Sequence, residues 1–203
     1  IKTYNKIFRD VKNYIFGTSE FGYLNDHSNG IYPIDLSFTL EDEDFYYSPK
    51  DKDGIPYKAY SSVGNQYNPV RVVAYSLAHY NRFVSKGDRK SKEIFLDCVD
   101  WFLSKSSGRF EYFFDWGKLR APWISCMTQG EAASVLIRGF RLTQNFTYLD
   151  LAEKSLEPFF LKIKEGGVQS HLSDGSIFLE EYPSATPTHV LNGFMFSLMG
   201  LAE

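Results

Sequence analysis

The sequence predicts a mainly α-helical protein with β-hairpins, an α+β fold in which an incomplete α/α toroid follows a short β-rich N-terminal segment. Three observations support this prediction. Apolar residues recur at helical spacing in several stretches after residue 68. A unit of two helices and a hairpin recurs at a spacing of roughly 60 residues. The stretch 190–201 is almost continuously apolar, which is typical of an inner helix buried on most sides.

We place the domain boundary near residue 60, with the β-rich segment at 1–60 and the partial toroid at 61–203. The opening, 3–17, is amphipathic, and the alternating run 32–40 predicts a strand. Two aromatic-rich runs then flank the sequence 50–54, which ends in Asp-Gly. Because Asp-Gly between such runs is a hairpin signal, we expect a turn there.

Helical periodicity begins at Asn68, and the first apolar stripe ends at Gly87, a residue type that commonly terminates helices. A second helix is predicted over 89–105. Its expected inward residues are Ile94, Phe95, Cys98, Trp101 and Phe102. The same pattern recurs at 126–143 and 146–163, which predict a second pair of helices.

Extended segments follow the helix pairs. The run 108–116 alternates Glu111 and Asp115 with aromatic residues and predicts a strand. The run 166–181 predicts a hairpin that turns at the Asp-Gly pair of residues 174 and 175. A further helix at 190–203 begins a third round of the repeat.

Three primary amides, Asn68, Gln129 and Asn192, occupy equivalent positions near helix starts, and each is followed by Pro or Gly. In a toroid of alternating inner and outer helices, the helix starts at one end line a central cleft. Two and a half repeats do not close a ring, and the sequence stops within a predicted helix at Glu203. We therefore expect a fragment, or a domain completed by further chain.

Composition excludes some classes of partner. The net charge is −3, so no overall positive field would attract a nucleic acid. An anionic glycan would need a local group of Arg and Lys. The 18 Phe and 14 Tyr can fill a core or, where exposed, provide platforms for sugar rings.

No metal or cofactor site is predicted. The four histidines lack metal-ligand spacing, and Asp51-x-Asp53-Gly54 lacks the remaining ligands of a calcium loop. Cys98 and Cys126 are expected to be buried small residues rather than a disulfide pair. No membrane-spanning run is visible, so we expect no membrane partner.

Three sequence blocks carry a family resemblance. They are the run from Glu180 to Leu201 (EEYPSATPTHVLNGFMFSLMGL), the run from Trp123 to Arg138 (WISCMTQGEAASVLIR), and Gln66-Tyr67-Asn68-Pro69 before a helix. In their order along the chain they resemble the C-terminal catalytic domain of D-glucuronyl C5-epimerases, which edit heparan sulfate, heparin and heparosan. The resemblance implies a soluble protein, cytoplasmic in a bacterium or in the Golgi lumen in an animal, and leaves a homodimer open.

The resemblance implies conversion of glucuronate to iduronate units in a heparosan-type or heparan-type polysaccharide, without a cofactor. The C5 proton is weakly acidic because a carboxylate is attached to C5, and inversion needs a base on one face and an acid on the other. Glu181 matches the family glutamate before Tyr-Pro, and with Tyr182 forms the predicted catalytic pair. Glu180 is expected on the opposite side of the strand, in solvent.

The resemblance also implies substrate contacts. The residues expected to bind the sugar chain are Asn192, Gln129, Trp123, Tyr67, Asn68 and Gln66. Trp123 can stack on a sugar or fill the core, and the QYN residues can face the cleft or cap a helix. For Arg138 we expect a structural salt bridge.

One departure from the family pattern limits the prediction. The resemblance implies a further Tyr-Asp-x-Arg-His stretch and a later tyrosine, which supply an arginine for the substrate carboxylate and the opposing acid. Neither occurs in these 203 residues, so we expect this chain alone to be inactive. A binding module for polyuronates or an inactive epimerase fragment is one alternative. A polysaccharide lyase, which abstracts the same proton and then eliminates, is another.

Overall fold

The structure is a computed structural model that describes residues 23–24, 31–105 and 107–203. Helices predominate in these residues, and the strands form short antiparallel pairs, as the sequence predicts. The amphipathic opening predicted at 3–17 lies outside the described residues. None of the helices in the described ranges is long and apolar enough to cross a membrane.

Two short strands begin the described part of the chain. Strand β1 (Tyr23–Leu24) pairs antiparallel with β2 (Ile34–Asp35). A 3-10 helix (Ser37–Asp42) and helix α1 (Glu43–Tyr47) follow.

The prediction of a strand over 32–40 is therefore wrong beyond β2. Asp35 accepts a hydrogen bond from the Ser37 amide (2.8 Å), and the Thr39 hydroxyl donates to the Leu36 carbonyl (2.6 Å). These local side-chain bonds stabilise a turn of helix in place of the alternating strand.

The Asp-Gly turn forms as predicted. One carboxylate oxygen of Asp51 accepts the amides of Asp53 and Ile55, both at 2.9 Å, and Gly54 has a positive φ of 80°. The hairpin around it is reduced to one bridge, between Lys50 and Pro56.

The aromatic run before that turn belongs to α1, so it is not a strand. The next hairpin pairs β3 (Lys58–Tyr60) with β4 (Gly64–Gln66) and was not predicted.

The first helix pair agrees with the sequence. Helix α2 (Pro69–Lys86) starts after Asn68, whose side chain accepts from the Arg71 amide, and ends at Gly87 in the left-handed conformation. Two residues later α3 (Arg89–Lys105) begins. Phe95, Cys98 and Phe102 of α3 are fully buried.

The second pair consists of α4 (Cys126–Thr143) and α5 (Phe146–Leu156). The helix predicted over 146–163 ends early, because the chain continues as the 3-10 helix Glu157–Phe160, which has Pro158 in its first turn. The predicted strand 108–116 is reduced to two isolated bridges, between Tyr112 and Trp123 and between Trp116 and Leu119.

The predicted hairpin over 166–181 is confirmed by strands β5 (Gln169–His171) and β6 (Ile177–Leu179). Helix α6 (Leu191–Ala202) completes the described chain.

The apolar residues form a main core and a separate aromatic cluster. The main core lies chiefly between α2, α3, α4 and α5. The aromatic cluster consists of Tyr112, Phe114, Leu119 and Trp123, with Tyr60, Val63 and Tyr182 packed against it. This second cluster forms the floor of the site described below.

Helices α4 and α6 approach each other at glycines. A Cβ added at Gly200 would collide with the backbone of Gly130, and one added at Gly130 would collide with the backbone of Ser197. Backbone atoms rather than flexible side chains fill this space. The two helices would therefore have to move apart, and lose this contact, to accommodate a side chain at either glycine.

Replacing Gly200 with Ala should therefore destabilise the protein by about 1–3 kcal/mol through overpacking, although Ala alone favours helices by about 1 kcal/mol. Urea denaturation would measure the change. Met195→Ala is the control, since Met195 is 57% exposed on the same helix. An increase in stability for Gly200→Ala would contradict the close approach.

Candidate active site

The candidate site is a cleft of about 220 Å³ beside the aromatic cluster. Four of the residues predicted to act in catalysis or binding line it together: Asn68, Trp123, Glu181 and Tyr182. Its other lining residues are Lys58, Tyr60, Val70, Tyr112, Phe114, Trp116 and Ser125.

Two helix N-termini line this cleft, and the first turn of a third helix packs against one of the cleft residues. Asn68 is the N-cap of α2, Ser125 is the N-cap of α4, and Glu181 lies against Gly193 in the first turn of α6. Helix N-termini carry partial positive charge and therefore favour anions. The Ser125 hydroxyl is buried and has no hydrogen-bond partner among the described residues.

Glu181 is positioned by the backbone of the residue before it and by the helix that it packs against. The amide of Glu180 donates to Val168 (2.8 Å), and the carbonyl of Glu180 accepts from Cys126 at the start of α4 (3.1 Å). The side chain of Glu181 occupies the space that a Cβ would fill at Gly193. Only glycine leaves room there, so the sequence Asn-Gly at the start of α6 holds the carboxylate in place.

One oxygen of Glu181, Oε2, is buried and has no hydrogen-bond partner within the described chain. An unpaired buried oxygen of this kind is costly in a folded protein. Because Glu181 lines the cleft, its carboxylate is a candidate acceptor for a ligand proton.

Tyr182 is half-buried beside Glu181, and its ring lies 6.1 Å from that of Trp123. Burial raises the pKa of the Tyr182 hydroxyl, and the hydrogen bond to Glu181 and the charge of Glu181 raise it further. The hydroxyl is therefore protonated at neutral pH and can donate a hydrogen bond.

Glu180 was expected in solvent, and this prediction is wrong because Glu180 is fully buried (0% exposed). One oxygen accepts from the Ser170 hydroxyl (2.6 Å). The other accepts from the amides of Thr188 and His189 and from the Thr188 hydroxyl, each at 3.1 Å. Buried carboxylates need such partners, and here they tie the loop before α6 to the hairpin.

Trp123 is 8% exposed and belongs largely to the floor of the cleft. Its ring stacks on Tyr112 with centroids 4.0 Å apart, and its indole N–H donates to the Phe114 carbonyl (2.8 Å). The ring therefore fills the aromatic cluster and also lines the cleft, while its stacking on a sugar stays a prediction.

Asn68 joins the cleft to the β3–β4 hairpin. Its carbonyl oxygen caps α2, while its amide group donates to the Tyr60 hydroxyl (3.0 Å). Tyr60 and Lys58 were missed by the sequence reasoning. Their strand is only three residues long, and its place beside Asn68 depends on tertiary contacts.

The remaining predicted residues lie elsewhere. Gln66 and Tyr67 line a different pocket, with Trp101 and Phe113. Asn192 is exposed on α6, next to the glycine that contacts Glu181.

Gln129 was expected at the cleft but is fully buried. Its side-chain oxygen accepts the Phe110 amide (2.7 Å), and its NH₂ group donates to the carbonyls of Gly108 and Ser155, both at 2.8 Å. The structure gives this amide a role in the interior, where it joins three chain segments.

Two further ionisable groups lie in the interior near α4. Arg138 forms the structural ion pair predicted for it, with both oxygens of Glu203 (2.5 and 2.6 Å). Burial raises the pKa of Glu131 to about 8, the hydrogen bond from Tyr32 lowers it, and the charge of Glu181 raises it. Among the described residues, no group of three or more His, Cys, Asp or Glu side chains could hold a metal ion.

We expect Glu180→Gln to destabilise the protein by about 1–3 kcal/mol, because an NH₂ group would face donors that now bond a carboxylate. The free energy of unfolding in urea measures this. Glu153→Gln is the matched control, since Glu153 is exposed on α5. Equal stability of the two variants would show that the Glu180 contacts contribute little.

Comparison with known proteins places this site in a family. Residues 104–203 match the family described as D-glucuronyl C5-epimerase C-terminus. The D-glucuronyl C5-epimerase of Caenorhabditis elegans is 36% identical over 117 residues, which cover 54% of this chain and 19% of that protein. An uncharacterized protein of Methanocaldococcus jannaschii is 20% identical over 123 residues, covering 59% of this chain and 39% of its own length.

The chain thus spans about a fifth of the length of the nematode relative. Glu181, Tyr182, Trp123 and Ser125 all fall in the matched region, whereas Lys58, Tyr60 and Asn68 precede it. Through residues 104–203, the chain belongs to the D-glucuronyl C5-epimerase C-terminal family.

Proposed function

We propose that the cleft takes part in the C5 epimerisation of glucuronate units in a heparosan-type polysaccharide, with Glu181 as a proton-transfer group. The observation that carries the proposal is the buried, unpartnered Oε2 of Glu181 beside the protonated hydroxyl of Tyr182. Family membership supports the reaction class, since the nematode relative is a D-glucuronyl C5-epimerase.

The chemistry defines what the site must supply. When a base removes the C5 proton, the electrons of the C5–H bond move towards the carboxylate and form an enediolate. This intermediate carries two negative charges on the former carboxylate unless hydrogen bonds or cations stabilise it. Return of a proton to the other face of C5 gives iduronate. The reaction therefore needs a base, stabilisation of the enediolate, and an acid across the sugar ring.

We assign the proton transfer on one face to Glu181. Its carboxylate is held against Gly193 and cannot swing into the space occupied by α6. A base fixed in this way loses little conformational freedom when the substrate binds. The unpartnered oxygen gains a hydrogen-bonding role only when a donor, or the C5 proton, is presented to it.

We assign to Tyr182 the role of a neutral donor beside that base. Its hydroxyl stays protonated because burial and Glu181 both raise its pKa. If its proton turns from Glu181 to the substrate carboxylate, this neutral donor stabilises the charge that develops there. Since Glu181 and Tyr182 are adjacent, they serve one face of the sugar, and the resemblance implies a separate tyrosine for the other.

The ends of α2 and α4 support binding of the substrate carboxylate. Asn68 and Ser125 cap these helices at the cleft, and the Ser125 hydroxyl has no partner among the described residues. The positive ends of helix dipoles stabilise an anion by about 0.3–1 kcal/mol each, more when partly buried. Such stabilisation grows as the enediolate forms.

We also propose that the helices belong to an α/α toroid with this cleft at one end. The support is that α2 and α4 begin at the cleft, with Asn68 and Ser125, and that the first turn of α6 contacts Glu181, which lines the cleft. The boundary near residue 60 stays a prediction. Tyr60, at that boundary, hydrogen-bonds to Asn68 across it.

Replacing Glu181 with Gln tests the proposal, because the amide keeps the shape but cannot accept the C5 proton. In this chain extended by the Tyr-Asp-x-Arg-His stretch and the later tyrosine that the resemblance implies, we expect the substitution to lower C5 deuterium exchange into heparosan about 100-fold or more, as followed by NMR in deuterated water. Binding of heparosan should persist. Glu153→Gln is the control, and unchanged exchange in Glu181→Gln would overturn the assignment.

The same experiment separates the alternatives. An unsaturated product that absorbs in the ultraviolet would identify a lyase, since elimination follows the same proton abstraction. Heparosan binding without any exchange by the Glu181-containing protein would indicate a binding module. Exchange with iduronate formation supports the epimerase.

A further inference from the structure

The aromatic rings at the cleft form a series that leads away from the proposed proton-transfer residues. Tyr182 contacts Trp123 with ring centroids 6.1 Å apart, and Trp123 contacts Phe114 at 6.2 Å. Phe114 contacts Tyr60 at 5.0 Å, and Tyr60 contacts Trp116 at 5.9 Å. The reaction chemistry assigned above uses only the Tyr182 end of this series.

Trp116, at the other end, combines exposure with a fixed position. Its side chain is 45% exposed, whereas a large apolar side chain that served only to pack against the aromatic cluster would be buried. Its backbone is held by two hydrogen bonds with Leu119, at 3.1 and 2.9 Å, which close a tight turn. Gly117 permits that turn through a positive φ of 55°. The indole is thereby presented to solvent on a rigid support.

Lys58 supplies the charge that the overall composition lacks. Lys58 is the one Lys or Arg among the described residues that line the cleft. No carboxylate of the described chain accepts a hydrogen bond from it. Its ammonium group lies 5.0 Å from the centroid of the Tyr60 ring. Cation–π contact holds the group near the rings while leaving its N–H donors for an anion.

From this arrangement we propose a second sugar-binding subsite, in which Trp116 stacks on a pyranose ring and Lys58 binds the carboxylate of a uronate other than the reacting one. The inference rests on the proposed function for the identity of the polymer. The recognition chemistry itself is general, because the apolar face of a pyranose packs on an aromatic ring and a carboxylate pairs with an ammonium group.

The subsite predicts that affinity depends on chain length. A short glucuronide fills only the region beside Glu181, whereas a longer acidic chain also reaches Trp116 and Lys58. A polymer bound at both places is held in register, so that one uronate is presented to Glu181.

The test uses titration calorimetry with heparosan polysaccharide and with a heparosan disaccharide, in the Glu181→Gln background so that neither ligand is converted. We expect Trp116→Ala to weaken polysaccharide binding about tenfold and disaccharide binding about twofold or less, since only the longer ligand reaches the indole. Lys58→Gln should also weaken polysaccharide binding and should reduce the dependence of that binding on salt concentration.

Two controls match these variants. Phe113→Ala removes an aromatic ring that is 67% exposed and lines the other pocket, and Lys52→Gln removes an exposed cation that is paired with Asp53. Thermal unfolding checks that all variants fold alike. If Phe113→Ala weakened polysaccharide binding while Trp116→Ala did not, the polymer would run over the opposite face and the inference would be overturned.

Equal losses for both ligands in Trp116→Ala would likewise overturn it, because the indole would then act at the reacting unit. The subsite and the proposed function can fail separately. A chain-length effect at Trp116 without C5 exchange by the Glu181-containing protein would retain an acidic-polysaccharide subsite and reject the epimerase. Exchange without that effect would reject the subsite alone.

Discussion

The close approach of α4 and α6 at Gly130 and Gly200 is the constraint on which the site depends. With no side chains between the two backbones, α6 has one position along α4, and its first turn comes to lie beside the end of β6. Gly193 in that turn then leaves room for the side chain of Glu181 and for nothing larger. Small residues thus set the position of the Glu181 carboxylate at a distance of two helical turns, through packing alone.

Hydrogen bonds of buried polar side chains also hold the helices and their connecting loops in position. Gln129 bonds three backbone groups from two other segments, and Glu180 bonds the loop that leads into α6. A buried amide or carboxylate with all its partners satisfied is specific about geometry, because any displacement leaves an uncompensated polar atom. The apolar core fixes how near the helices lie, and these polar groups fix which way the connecting loops run.

Sequence patterns predicted the parts of this structure that depend on local interactions. The start and end of α2 followed from Asn68 and Gly87, and the β5–β6 turn followed from Asp-Gly. The burial of Gln129 could not be read in the same way, because the carbonyls it bonds belong to segments far away in sequence. Lys58 was missed for a related reason, since only the packing of its hairpin against α2 brings it to the cleft.

Glu180 and Glu181 show how environment divides roles between identical neighbours. Glu180 is fully buried, whereas Glu181 is only partly buried and lines the cleft. Every oxygen of Glu180 meets donors, so proton exchange there would disrupt the loop before α6. Glu181 keeps one unpartnered oxygen and a neutral tyrosine beside it. A carboxylate whose hydrogen bonds are already complete is structural, whereas one left incomplete at a cleft is available for chemistry, and by this criterion we propose Glu181 as the reactive member of the pair.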